Sequence, residues 1–590
     1  MLHALRTLGE LLGGSGKYDE IKASDLIVVD ISSETGRIQS AKLRKFNHNL
    51  LPKILYTKHD AMKTPHVPTI KIQHGDLIES DGSLHIKESL RDKFRRSARN
   101  LMSFLGINID IDQALKNVED LLQPNIETWV ATITFDGKFA GEIPQIRCYF
   151  EEKRRLRGRK SQRKSICAIC GEEKEVSGDI SPFTFYTVDK PGYVVGGFDK
   201  SLAYKAFPLC YDCRDLIQRG RQHVEANLTF DFVSRRIRYL LIPDFIFGSQ
   251  AVRQDVLEIL TEEREQRQGR LHTLSRKELK RITADAGDIL DLLSEERDVM
   301  TFHFLFMAPK QGASSQERIE LYIQDIYPSR LRALFRAKAA VDRALRIPRE
   351  GGTWRDYNFT YATLYRFFSK ADPNKRNPDL LRHFYDLVDR TFRAAPVSAN
   401  YLIPFLMTQI RHDVVTPDRR DQGLYRFTIL DALASLMFIL FTTRKEEPMS
   451  AQTPSTLEAY LESLPALEDD LKKGLFLLGA LTERLLRVQG QERGNAPFWK
   501  SLKSLKMNAT DFQGLLPKVR NKLQEYDRFG RGEAILFQLA SAYLAQTKMP
   551  WKMSVDELNF YFALGMGLFP QVAPYIYPKQ DESQQEEVEA

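Results

Sequence analysis

The side chains best suited to chemistry in this chain are four cysteines in two pairs, Cys167-Ala168-Ile169-Cys170 and Cys210-Tyr211-Asp212-Cys213. A CxxC turn lets two thiolates reach one metal ion from a single knuckle. Two such knuckles supply the four soft ligands of a closed tetrahedral zinc site. Four thiolates leave no open coordination position, so zinc held this way is structural and takes no part in catalysis. The 39 residues between the pairs exceed the usual interval. Phe183 to Val188 and Tyr193 to Phe198 read as strands of a hairpin that could return the chain, and loop closure grows only logarithmically with length. The competing reading is two unrelated thiol pairs in a core. Cys148, the fifth cysteine, is expected to be a buried small hydrophobe.

Immediately before the first knuckle comes a run from Lys153 to Lys164 containing Lys153, Arg154, Arg155, Arg157, Arg159, Lys160, Arg163 and Lys164, eight basic residues in twelve with no acid. Such density, with Gly158 and Ser161 inside it, suits a flexible loop lying along a phosphate backbone. The alternative is a solvated charge run. Further basic residues recur at helical spacing: Lys87, Arg91, Arg95 and Arg99; Arg332, Arg336 and Arg343; and Lys500, Lys503 and Lys506.

Several enzymatic motifs fail on inspection. Gly13-Gly14-Ser15-Gly16-Lys17 resembles a phosphate loop, but Leu11 stands where the first glycine belongs and Tyr18 where magnesium needs Ser or Thr. His59-Asp60 and His412-Asp413 lack the other ligands of a two-metal centre. Asp244, Glu278 and Lys280 mimic a nuclease set, yet Ser275 and Glu278 form a capping box that puts Glu278 at a helix start instead of on a strand. A zinc-stabilised nuclease built on these three residues is the alternative reading, and a zinc-bearing nucleic-acid-binding regulator acting alone is a third.

The elements that must position these residues fall into two regimes. Over the first 330 residues, Leu26 to Val29, Thr69 to Ile72, Thr128 to Phe135 and Arg236 to Ile242 read as strands, and Met300 to Ala308 pairs with Arg318 to Ile326 as a hairpin. Helices are expected over Lys87 to Leu105 and Val252 to Arg267. From Arg330 the period is helical, near 330–346, 378–393, 400–412, 424–443, 454–489, 498–507, 512–526, 533–546 and 554–568. The fold class is therefore α+β: a mixed N-terminal half (1–330) with an inserted four-cysteine module at about 160–225, then an all-α half. Seams at 348–353 and 443–455 split that half into 331–445 and 446–578, and the acidic tail 579–590 is expected to be disordered.

With 590 residues, 43% hydrophobic and 28% charged, and a mean hydropathy of −0.37, the chain reads as a soluble globular protein. Its net charge of +8 matters only where it is concentrated. The most apolar stretch, Ala432 to Phe441, is half the length of a bilayer span and reads as a buried helix. An odd cysteine count without a secretory signal points to a reducing, cytoplasmic compartment.

The order and placement of several short motifs resemble the large subunit of the type I-B CRISPR Cascade complex over about residues 1–335. They are the N-terminal helix ending Gly9-Glu10, the knuckle Cys167-Ala168-Ile169-Cys170-Gly171, and Phe207-Pro208-Leu209-Cys210-Tyr211-Asp212-Cys213. Gly220, Leu241-Ile242-Pro243 and Asp325-Ile326-Tyr327-Pro328-Ser329-Arg330-Leu331 follow. The resemblance implies a non-enzymatic prokaryotic cytoplasmic subunit assembled with guide RNA and with backbone, capping and small subunits. It also implies recognition of a protospacer-adjacent motif on duplex DNA, stabilisation of the R-loop, and recruitment of a separate helicase-nuclease. In that scheme the run 153–164 contacts duplex or displaced strand, and Lys500, Lys503 and Lys506 track displaced strand. The C-terminal region would resemble the small subunit, with Met449 a candidate internal start.

Overall fold

The computed structural model describes residues 1–13, 23–56, 65–80, 83–124, 126–156, 158–183, 185, 186, 188, 199–233, 237–265, 300–308, 318–348, 354–369, 378–443 and 454–577. The N-terminal half is mixed α/β with the four cysteines clustered, and the C-terminal half is helical. Two compact units divide the chain; the second takes the chain from Ile326 onward and also Asp231–Ile237.

The first unit opens with helix α1 (Leu2–Leu11) and strands β1 (Asp25–Ile31) and β2 (Ile38–Lys45). Next come the short helix α2 (Leu51–Ile54), strand β3 (Ile70–Gln73) and the hairpin β4 (Leu77–Ser80) and β5 (Ser83–Ile86). Helices α3 (Glu88–Leu105) and α4 (Ile111–Glu119), strands β6 (Thr128–Phe135) and β7 (Lys138–Phe139), and helix α5 (Pro144–Leu156) follow. Strand β1 lies antiparallel to β2 and parallel to β6, with β3 antiparallel on the far side of β6, giving the order β2-β1-β6-β3. Both central strands are buried on both faces, which is why they read as unbroken β-branched runs instead of alternating ones. Phe94, Leu101, Leu115, Val118, Ile146 and Phe150 of α3, α4 and α5 close over Ile27, Val29 and Ile133 on one face. Ile54, Tyr56 and Phe139 cover Leu26, Val28 and Val130 on the other.

Next in the chain is a three-stranded sheet, β8 (Arg163–Ile166), β9 (Glu173–Ser177) and β10 (Leu209–Cys210), in the order β10-β9-β8, which runs into helix α6 (Tyr211–Asn227). A second sheet has β11 (Thr229–Val233), β12 (Ile237–Phe245), β13 (Met300–Met307) and β14 (Ile319–Ile326) side by side in that order, with helix α7 (Gln250–Glu265) between β12 and β13 in sequence. Phe302, Phe304 and Phe306 of β13 are all buried. Of the hairpin expected from Phe183 to Val188 and Tyr193 to Phe198, the described residues Phe183, Phe185, Tyr186 and Val188 stand outside any strand, and 184, 187 and 193–198 lie outside the described residues. The strands that hold the knuckle are instead β8 and β9, which flank it directly. The charged sequence of β9, Glu173-Lys174-Glu175, hides it from a search for apolar alternation.

The second unit runs through α8 (Pro328–Ala344), α9 (Tyr361–Tyr365), α10 (Pro378–Arg393), α11 (Ala399–Val415), α12 (Pro417–Asp421) and α13 (Leu424–Thr443). It continues through α14 (Leu457–Glu462), α15 (Asp470–Arg493), α16 (Ala509–Glu525), α17 (Arg531–Ala545), α18 (Val555–Gly567) and α19 (Phe569–Ile576). The helix expected over 454–489 is two helices, each started by its own side-chain cap, Thr456 on Ala459 N–H and Asp469 on Lys472 N–H. Helix α13 is long and apolar enough to cross a membrane, with a mean hydropathy of 1.7, but 72% of that window is buried inside the protein. It serves as the core helix. From it Tyr425 Oη donates to Glu483 on α15 at 2.7 Å, and Arg426 Nε reaches the same carboxylate at 2.6 Å. Helices on both sides of residues 444–453 thus share one core. Arg330, from the motif that opens α8, donates to the carbonyls of Phe392 (3.1 Å), Thr391 and Thr442 (2.6 Å), tying the ends of α10 and α13 to α8.

Candidate metal centre and the basic surface beside it

Four sulfurs converge. Cys167 and Cys170 sit on the turn between β8 and β9, and Cys210 and Cys213 on the step from β10 into α6. Their Sγ atoms all lie within 4.8 Å of one another, and three of the four residues are buried. A tetrahedral ion with sulfur ligands at about 2.3 Å sets the sulfurs roughly 3.8 Å apart, so the cluster needs only a small contraction to hold one. Among the described residues no histidine or carboxylate joins the set, and four thiols suit a soft or borderline dication.

The backbone builds the site. Gly171 N–H bonds Cys167 O at 2.9 Å and Gly171 takes φ +72°, the left-handed geometry that closes the first knuckle and that glycine adopts freely. Cys167 N–H bonds Glu172 O at 2.9 Å, and Ala168 N–H reaches across to Pro208 O at 2.8 Å, joining the two knuckles. Cys210 caps α6 through its sulfur, which accepts from Cys213 N–H at 3.4 Å, while Cys210 N–H points at Cys167 Sγ at 3.4 Å. Such N–H···S contacts favour thiolates. Hydrogen bonding from Cys213 pulls the Cys210 thiol down to about 5, while the same contact and burial push Cys213 up. A divalent cation would deprotonate the set outright. Outside the sulfurs, Lys174 ties the knuckles electrostatically, pairing with Glu172 at 2.7 Å and Asp212 at 3.3 Å.

Behind the knuckles, Ile169, Val176, Leu209 and Ile217 share a core with Ala4, Leu5 and Leu8 of α1. A Cβ on Gly9 would lie 2.1 Å from Leu216 O, and one on Gly220 would lie 2.0 Å from Leu5 O. These two residues, quoted above as separate motifs, are the two sides of one helix crossing that seats α1 on α6.

The basic run is more ordered than the expected loop. It occupies the end of α5, a 3₁₀ turn at Arg159–Ser161 and strand β8. Gly158 turns the chain at φ +86° against Ser177 and Ile180, and buried Ser161 and Ser177 hydroxyls meet at 2.6 Å. That hydroxyl pair anchors the turn to the four-cysteine module, and Arg159, Lys160, Arg163 and Lys164 stand exposed on this base. Lys164 has Glu173 at 3.6 Å. Lys153 rests over the Tyr149 ring at 5.1 Å. The side chains of Arg154 and Arg155, and the whole of Arg157, lie outside the described residues.

The other basic stretches divide. On α3, Arg91 reaches Glu119 at 3.0 Å and Arg95 is surrounded by Glu88, Asp92 and Asp112, so half of that face is neutralised within the protein. Lys500, Lys503 and Lys506 do not share a helical face. Pro497–Leu505 is a 3₁₀ segment broken by positive φ at Lys503, Ser504 and Leu505, because Phe498, Leu502 and Leu505 all turn inward. Lys503 pairs with Asp511 at 2.6 Å, while Lys500 and Lys506 are exposed.

Cys148 is exposed on α5, correcting the expectation of a buried thiol; its neighbours Tyr149 and Phe150 take the inward positions. Asp244 is tied to His303 at 3.2 Å, whose other ring nitrogen meets Tyr322 Oη at 3.2 Å. Glu278 and Lys280, the rest of the nuclease set, and the Ser275 cap lie outside the described residues, as do Gly14 to Lys17 and His59-Asp60. Asp413 is fully buried and held by Arg419, Thr428 and Gln409, so the His412-Asp413 doublet serves the helix packing. What the sequence did not disclose is which cations remain free and which aromatic stands beside them: Phe104 carries no motif.

Two models of one family match the chain. Residues 164–326 match the central domain of the CRISPR-associated protein TM1802 family and residues 359–580 its C-terminal domain. Together they span well over half of the sequence, and the central-domain match takes in both knuckles. No curated protein matches.

Proposed function

Because the chain belongs to the CRISPR-associated TM1802 family, we propose that it is the non-catalytic large subunit of a type I-B Cascade surveillance complex acting in the prokaryotic cytoplasm. The observation that carries this reading is the rigid basic surface mounted on a four-cysteine module inside the matched central domain, followed by a matched helical domain. In this role base pairing with guide RNA reads the target, while the protein inspects the protospacer-adjacent motif on the duplex, holds the R-loop and presents the opened strand to a separate helicase-nuclease. Backbone, capping and small subunits complete the assembly.

The cysteines Cys167, Cys170, Cys210 and Cys213 hold structural Zn2+. It supplies a cross-link between β8–β9 and α6, and the protein's own residues do the rest. Arg159, Lys160, Arg163 and Lys164, positioned by the Ser161–Ser177 hydroxyl pair, lie along phosphates, and Lys153, Arg154, Arg155 and Arg157 add their charge to the same contact. Lys500 and Lys506 contribute to contacts with displaced strand, and residues 446–578 act as a small-subunit-like bundle.

Purifying the tagged chain from its native host tests the assignment. Repeat-derived RNA of uniform 5′ end and several smaller subunits should copurify, and the isolated chain should cleave neither RNA nor DNA. A lone chain without RNA, or metal-dependent cleavage lost in Glu278→Gln, overturns it.

A further inference from the structure

Helix α3 separates its cations into two flanks. At 100° per residue, Arg91 and Arg95 lie on the side facing α4, where Glu119 and Asp112 take them up. Lys93, Asn100 and Phe104 fall within about 40° of one another on the opposite flank, with Arg96 within about 80° of Phe104. No carboxylate among the described residues pairs with Lys93 or Arg96; Arg96 Nε only reaches its own helix at Asp92 O, 3.3 Å.

Phe104 is 48% exposed, an unusual position for a phenylalanine with a helix interface beside it. Its ring lies 4.6 Å from that of Tyr149 on α5, inclined by 36°, and Tyr149 is itself buried. Lys153, the first residue of the basic run, stands over the Tyr149 ring at 5.1 Å. An exposed ring backed by a buried aromatic thus adjoins the start of the basic run, with Arg96 and Lys93 on the same side of α3 about 12 and 16 Å further along its axis.

We infer that Phe104, backed by Tyr149 with Lys153 beside it and with Arg96 and Lys93 two and three turns away along α3, is a stacking site for an unpaired base of a single-stranded polynucleotide. This rests on the nucleic-acid-binding part of the function proposed above and adds a residue and a substrate class to it. The cations attract phosphate without regard to strandedness. The ring discriminates, because a base inside a duplex keeps both faces stacked on its neighbours and offers none to Phe104.

The test uses the purified full chain and fluorescein-labelled oligothymidylate, oligouridylate and a mixed-sequence duplex, each about twenty nucleotides or base pairs long, several OB-fold site sizes. Phe104→Ala is expected to weaken single-strand binding about tenfold, leave the duplex unchanged and leave the salt slope unchanged, since the ring carries no charge. Phe104→Trp should restore affinity, and its fluorescence should be quenched when the strand is added. Lys93→Ala with Arg96→Ala should weaken all three probes and lower the salt slope by about one to two. A loss confined to oligouridylate or to oligothymidylate identifies the strand as RNA or DNA. Unchanged single-strand affinity in Phe104→Ala, with circular dichroism intact, overturns the inference and leaves the face to a protein partner; an equal loss on duplex also overturns it. A wild-type chain that binds no polynucleotide sinks the proposed function as well, so the two failures are separable.

Discussion

At the scale of single residues, the four sulfurs are the part of the molecule in which position matters most. Replacing Cys167 and Cys210 by Ser removes one ligand from each knuckle, and because the knuckles share a core with α1, the loss spreads beyond the site. Elemental analysis should find about one zinc per wild-type chain and markedly less in the double variant, with a lower melting temperature. Unaltered metal content and melting would remove these residues as ligands.

His223 on α6 makes a second prediction. Burial, and secondarily Arg219, hold its pKa at about 4, and Asn227 donates to its Nδ1 at 3.2 Å. The folded protein therefore refuses a proton that the unfolded chain accepts below about 6.5. Stability is fully present above that pH and is lost as pH falls toward 4, by about 3 kcal/mol in total. Denaturant titrations at pH 7 and pH 5 should show a smaller pH penalty for His223→Leu than for wild type, a difference that cancels the contribution of the cysteines.

At the scale of elements, the seating of α1 on α6 depends on two glycines. Gly220→Ala places a methyl 2.0 Å from Leu5 O and Gly9→Ala one 2.1 Å from Leu216 O, and backbone cannot swing aside as a side chain can. Each should cost about 2–4 kcal/mol, the upper range for overpacking, measured by chemical denaturation. Gly490→Ala on α15, which meets nothing within 4 Å, should instead be neutral or slightly stabilising. Equal effects at the three positions would sink the crossing argument. Element type was largely legible beforehand, because β1, β6 and the long helices carry strong periodicity. The misses share a cause. Strand β9 is held by pairing with β8 and β10 and not by apolar pattern, and 498–507 has helical spacing but is bent into a 3₁₀ path by three inward apolar side chains.

At the scale of the whole molecule, a net charge of +8 says little by itself, and its partition decides what the protein can hold. Mutating Arg159, Lys160, Arg163 and Lys164 together to Ala should lower the slope of log affinity against log salt by about three to four if each meets a phosphate. An unchanged slope in filter-binding titrations would retire the rigid turn as a backbone contact. What the sequence by itself determined is the chemistry that depends on short separations: the two CxxC pairs, the density of the basic run, and the change from mixed to helical period near residue 330. What only the tertiary structure decided is which of those charges are free and which glycines meet. Arg91 and Arg95 are neutralised by Glu119 and Asp112 of another helix while Lys93 and Arg96 are not, and Gly9 finds α6 from the far end of the unit. Pairing and close approach are properties of neighbours in space, and for these residues the neighbours are distant in the chain.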